Sequence, residues 1–221
     1  MDKTLVIGIG TGRSGTTSLA QLLDMQPNSK IYHEHSPLLP WIIDKQLLRF
    51  KLDSFLKLDY ELVGDVGMYY LPYVPFILKE YPKVKMVYME RDLQGTLNSF
   101  LKKTKNKNHW NYHMGEEYNL DPEWDPCFPK YETKTKEEAV ENYIRDYHIR
   151  ANDLISSYPN SIYKLRMEDL SNEEELKRML TFCGYQPSEI KTEIVHTNQG
   201  KKPLSLKQRV IRRLKRILRT Q

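Results

Sequence analysis

Cysteine is nearly absent from this sequence: 221 residues hold only Cys127 and Cys183. They stand at neither a CxxC nor a metal-ligand spacing, which argues against a disulfide framework and a cysteine zinc site and for two reduced thiols. Long apolar runs are also lacking. Stretches such as residues 5–9 fall far short of the roughly 20 residues a membrane-spanning helix needs, and no charged-then-apolar leader opens the chain. The expectation is a soluble, cytoplasmic protein. Acidic residues are missing after Glu193, where nine basic ones follow: Lys201, Lys202, Lys207, Arg209, Arg212, Arg213, Lys215, Arg216 and Arg219. The formal charge of +5 therefore conceals a net −4 over everything before that tail. A basic end on a mildly acidic body, with no base-reading motif, disfavours nucleic acid as a partner. Internal repeats and low-complexity tracts are absent too.

What is present is an alternation of short apolar runs and helical patterns. Residues 4–9 read as a buried strand, followed by a Gly-rich turn and a helix with Leu19, Leu22 and Leu23 at helical spacing. Further strands are expected at 30–32, 61–66, 85–89 and 161–165. Helices are expected after the break at Pro37 and Pro40 through about Leu58, over 69–81 despite Pro72 and Pro75, from Asp92 to about Lys103, over 136–158, and over 172–183 closed by Gly184. Strands alternating with helices predict an α/β fold, a single domain with a central parallel sheet flanked by helices. We place that domain at residues 1–203. Periodicity vanishes over 104–136, and a loop this long in a compact domain is expected to cover a site. Residues 204–221 are expected to form a basic amphipathic helix with a stripe of Val210, Ile211, Leu214, Ile217 and Leu218. It suits docking on the domain or peripheral contact with an anionic membrane.

The first turn carries the chemistry. Gly10-Thr11-Gly12-Arg13-Ser14-Gly15-Thr16-Thr17 lies between a strand and a helix, the context of a phosphate-cradling loop. Glycines turn backbone N–H groups inward, the helix N-terminus adds positive dipole, and Thr16, Thr17 and Ser18 offer hydroxyls. The pattern is of the P-loop nucleotide-binding type but lacks its lysine, because Thr16 stands there. Only Asp65 and Asp92 are candidates to hold magnesium, so metal-dependent ATP or GTP chemistry is disfavoured and no metal is expected. A second constellation, Arg91-Asp92 with Ser99 eight residues after Arg91, places a cation at a strand end and a hydroxyl two helical turns on. The two could close on one phosphate.

Arg13-Ser14-Gly15-Thr16-Thr17, then Arg91 to Ser99, then Tyr163-Lys164-Leu165-Arg166-Met167-Glu168-Asp169-Leu170 resemble, in the same order, three motifs of the sulfotransferases that use 3'-phosphoadenosine 5'-phosphosulfate (PAPS). The resemblance implies a PAPS-dependent sulfotransferase acting on a hydroxyl or amine of a small acceptor, with carbohydrate among the candidates. It assigns Gly12, Arg13, Ser14, Gly15, Thr16, Thr17 and Ser18 to the 5'-phosphate, with Arg13 at the bridging oxygen, and Arg91 and Ser99 to the 3'-phosphate. Leu93 and Thr96 depart from that second motif, standing where it has Pro and Arg. It also implies that Lys201 and Lys202 cover the 3'-phosphate.

Transfer to a hydroxyl needs a proton acceptor. The family often carries one at the end of the second strand, which here reads His33-Glu34-His35. Glu34 is the leading candidate, with His35 and then Asp65 behind it and His33 as an orienting neighbour. Strand alternation predicts Glu34 on the face opposite both histidines. For the acceptor, the aromatic content of 104–136 suits either ring stacking or packing of the loop on itself. The runner-up functions are a P-loop small-molecule kinase and a non-catalytic nucleotide-binding or membrane-associated module.

Overall fold

The computed structural model describes residues 3–192. Lys201, Lys202 and the predicted 204–221 helix lie outside the described residues. Five strands form one sheet: β1 Thr4–Ile9, β2 Ser29–His33, β3 Leu62–Val66, β4 Lys85–Glu90 and β5 Ile162–Arg166. All neighbours pair in parallel, in the order β2-β3-β1-β4-β5. Parallel strands need crossovers, and among the described residues five helices supply them, α1 Thr16–Asp24, α2 Lys45–Leu56, α3 Val74–Glu80, α4 Leu93–Lys103 and α5 Lys136–Ser157, while α6 Glu173–Phe182 follows the last strand.

Period-two alternation sorts the sheet into two apolar layers. Leu5, Ile7 and Ile9 of β1 with Met86 and Tyr88 of β4 face a core shared with α2, α3, α4 and α5. Val6, Val87 and Met89 point the other way, toward α1 and α6 through Leu19, Leu23, Leu176 and Leu180. Such strands, buried on both faces, read as continuous apolar runs, which is why they were visible in the sequence.

Local chemistry sets the helix boundaries. Asp44 caps α2 by accepting from the Gln46 and Leu47 N–H groups at 3.0 and 2.9 Å. Thr135 and Glu138 form a capping box on α5. Gly184, at φ +100°, ends α6. The expected 69–81 helix is divided: a 3-10 helix runs Met68–Tyr73 with Pro72 inside it, and α3 starts at Val74 with Pro75 in its first turn. Pro75 is harmless there because the N–H it lacks would have had no intrahelical partner.

Residues 104–136 hold one 3-10 turn, Asp125–Cys127, yet they are firmly packed. Trp110 is fully buried, its ring 5.1 Å from Phe100, 4.9 Å from Phe128 and 6.0 Å from Tyr143. Among the described residues, no helix is long and apolar enough to cross a membrane.

Candidate active site

The carboxyl ends of β1, β2 and β4 open into a cavity of about 770 Å³, the place where open parallel sheets take their ligands. One wall is the turn between β1 and α1. Gly12, Arg13 and Gly15 all have left-handed φ, +77°, +58° and +99°, which coils the backbone above α1. Arg13 is the one L side chain among them, and two contacts hold it: its Nε donates to Ser99 Oγ at 3.0 Å, and its carbonyl accepts from Arg91 Nη1 at 3.0 Å. The two phosphate constellations of the sequence thus meet in space. Gly15 caps α1 without a side-chain bond, and the first turn contains no acid. The positive end of that helix is left for an anion.

Gly12, Arg13, Gly15, Thr16, Thr17, Ser18, Arg91 and Ser99 all line the cavity. Ser14 does not: it is fully buried under the turn, and its Oγ has no hydrogen-bond partner. Gly95 makes room for Arg91, since a Cβ there would stand 2.9 Å from its Nε. Thr96, where the motif has Arg, is buried and does not line the cavity. Asp92 caps α4, accepting from the Gly95 N–H at 2.6 Å.

His33 and Glu34 both line the cavity, contrary to the expected alternation. The reason is backbone: Glu34 lies one residue past β2 at φ +52°, so the strand's two-face rule stops before it. His33 Nε2 stands 3.2 Å from Thr16 Oγ1 and 3.4 Å from Thr17 Oγ1, tying β2 to the start of α1. Burial lowers the pKa of His33, against the raising influence of Asp65. The Glu34 carboxyl is pushed up to about 7, by burial first and then by Asp65, against the opposing pull of Arg13.

The other two base candidates lie elsewhere. His35 is exposed, does not line the cavity, and stacks on Tyr32 with centroids 4.2 Å apart. Asp65 is fully buried and accepts from the Tyr69 and Tyr70 hydroxyls at 2.8 and 2.9 Å, so its carboxylate is already occupied. Among the described residues, no group of three or more His, Cys, Asp and Glu is arranged to hold a metal.

The opposite wall comes from α4 and the long loop: Lys103, Lys107, His109, Asp121, Trp124 and Phe128. Lys107 pairs with Asp121, and His109 Nδ1 meets Asp125 Oδ1 at 2.7 Å while its ring stacks on Phe128. Burial lowers the His109 pKa, opposed by Asp125.

Sequence reasoning missed what holds the turn between β1 and α1 from beneath. The Tyr147 hydroxyl accepts from the Gly10 N–H at 2.9 Å and donates to the Met68 carbonyl at 3.0 Å, and the Tyr143 hydroxyl donates to the Thr11 carbonyl at 2.7 Å. Both tyrosines sit on the buried stripe of α5 with Val140, Ile144 and Ala151. Their four-residue spacing on that stripe was the available signal.

The sequence matches the Sulfotransferase domain family over residues 5–169. The structure is similar to a sulfotransferase from Alicyclobacillus acidocaldarius, with a TM-score of 0.51 and 14% identity over 92% of this chain and 87% of that one. It is also similar to mouse sulfotransferase SULT7A1 complexed with PAP, with a TM-score of 0.50 and 14% identity over 84% of this chain and 58% of that one. No curated protein matches it significantly. At such low identity the two neighbours speak for the fold alone, but the matched family span runs from the second residue of β1 to beyond β5, and the chain therefore belongs to the sulfotransferase family.

Proposed function

We propose that this sulfotransferase moves a sulfuryl group from PAPS to a hydroxyl or amine of a small acceptor, with Glu34 as general base. The observation that carries the reading is that Glu34 and the phosphate turn face one cavity, with the Glu34 carboxyl poised at about 7.

The residues present fit a nucleotide with phosphates at two positions. The acid-free N-terminus of α1, with Thr16, Thr17 and Ser18, supplies one set of donors, and Arg91 with Ser99 supplies another. That the mouse neighbour is complexed with PAP supports the same ligand class. When bound, PAPS supplies the sulfuryl group as an anhydride with its 5'-phosphate. Glu34 takes the acceptor's proton as the acceptor oxygen or nitrogen bonds to sulfur and the bond from sulfur to the phosphate oxygen breaks. The Arg13 guanidinium, the cation of the phosphate turn, stabilises the charge left on that oxygen. His33 holds the end of β2 against α1 and so fixes the distance between base and phosphate turn. On the other wall, Trp124 and Phe128 offer apolar surface, and Lys107, Asp121 and His109 offer polar groups, which suits a hydroxylated ring. Residues 104–136 then act as the acceptor-covering loop.

Isothermal titration with 3'-phosphoadenosine 5'-phosphate, beside ATP with magnesium, tests the reading. We expect metal-free binding of the bisphosphate, weakened by Arg91→Ala about 10- to 100-fold, the range for losing a charge-assisted hydrogen bond. A preference for magnesium ATP would refute it.

A further inference from the structure

Beneath the Glu34 turn lies a charge pair that the proposed chemistry does not use. Lys51 of α2 and Asp65 of β3 stand 3.1 Å apart with side-chain exposures of 1% and 0%. Replacing such a pair by apolar residues of similar volume is often neutral or stabilising, so stability alone is a poor account of its presence. Its hydrogen bonds show a direction. Asp65 Oδ1 accepts from the His35 N–H at 3.2 Å. Lys51 Nζ donates to the His35 carbonyl, to the Pro37 carbonyl at 3.0 Å and to the Tyr69 hydroxyl at 3.1 Å. The pair therefore grips both backbone polar groups of the residue that follows Glu34. On the other side, the Glu34 N–H donates to the Val66 carbonyl at 2.9 Å and His33 reaches Thr16 and Thr17. A left-handed glutamate is disfavoured on its own, and here it is held from both flanks.

We infer that the buried Lys51–Asp65 pair is a positioning device for the base: it clamps His35 from below and thereby sets the turn that aims the Glu34 carboxylate into the cavity. Asp65 acts on Glu34 electrostatically as well, as the second cause, after burial, of its raised pKa. Four titratable groups beside Glu34 are shifted toward their neutral forms. Burial lowers His33 and pushes Tyr69, Tyr143 and Cys127 up. After burial, Asp65 raises and Arg13 lowers its proton affinity. The inference rests on the reading of Glu34 as base.

The test uses the full chain. The Glu34 carboxyl carbon, assigned by its disappearance in Glu34→Gln, is followed by 13C NMR from about pH 4 to about pH 9. It is measured in the unaltered protein and in Lys51→Met/Asp65→Asn, which removes both charges at near-constant volume. We expect the midpoint to fall, by less than the roughly one unit that losing one nearby like charge gives, because the Lys51 charge goes with it. The pH–rate profile of sulfuryl transfer should move with it, a readout that a merely structural role would leave in place. Asp65→Asn is the second variant, should the double variant fail to give a dispersed amide spectrum. There too the midpoint should fall, because the like charge that raises it is gone. An unmoved midpoint in either folded variant overturns the inference. Failure of the base reading looks different: Glu34→Gln would transfer sulfuryl at the unaltered rate while the midpoint still responded to Asp65.

Discussion

One wall of the cavity is made of strand ends and helix starts, the other of a loop with almost no regular structure, and the second is anchored as deeply as the first. On the phosphate wall, Gly12, Arg13 and Gly15 take left-handed conformations and the Tyr143 and Tyr147 hydroxyls hold the turn from beneath. On the acceptor wall, Trp110 is wholly buried among Phe100, Phe128 and Tyr143. The walls share a foundation, since Tyr143 bonds the phosphate turn through its hydroxyl and packs the loop through its ring. Absence of secondary structure is thus no sign of loose attachment, because side-chain burial can hold a loop as strongly as a backbone ladder holds a strand.

The largest effect expected from breaking this symmetry is Trp110→Ala, which should cost about 3–5 kcal/mol in urea unfolding, the range for emptying a buried aromatic site. A loss below about 1 kcal/mol would mean that the loop hangs off the core. Next is Glu34→Gln, on the phosphate wall. Its folded pKa of about 7 lies above the ordinary 4.5. The folded state therefore holds a proton the unfolded chain releases, and that stabilisation is present below about pH 4.5 and lost as pH rises through 7. The variant should be more stable than the unaltered protein by about 2–3 kcal/mol near pH 8 and gain little near pH 5. The smallest effect belongs to Tyr112→Ala. Tyr112 is in the same loop as Trp110 but is 78% exposed, and the change should stay within about 0.5 kcal/mol.

The contrast between the walls is also a contrast in what sequence can reveal. The strand, turn and helix of the phosphate wall announce themselves through an apolar run, a glycine pattern and helical spacing, all local signals. Strands and helices stood close to where they were expected, and the parallel pairing of the strands followed from their alternation. The burial of Trp110 has no such signal, since the loop follows no period and its partners come from α4 and α5. His33 and Glu34 were found as residues, but their shared face was not. One left-handed residue past the strand end undoes alternation, and nothing in a glutamate announces a positive φ. Lys51 and Asp65 were harder still. A lysine within a helix reads as solvent-facing, and only the crossover from α2 to β3 brings it to a buried carboxylate.

The central claim is that Glu34 accepts the acceptor's proton. Its most direct test is the pH–rate profile of sulfuryl transfer from PAPS, measured for the unaltered enzyme and Glu34→Gln with the first acceptor to turn over in a screen of sugars and phenols. The account predicts a rate that rises with a midpoint at about 7 and that, in the variant, falls roughly 100- to 10,000-fold and loses that limb. The same rising limb in Glu34→Gln, at a comparable rate, would contradict it.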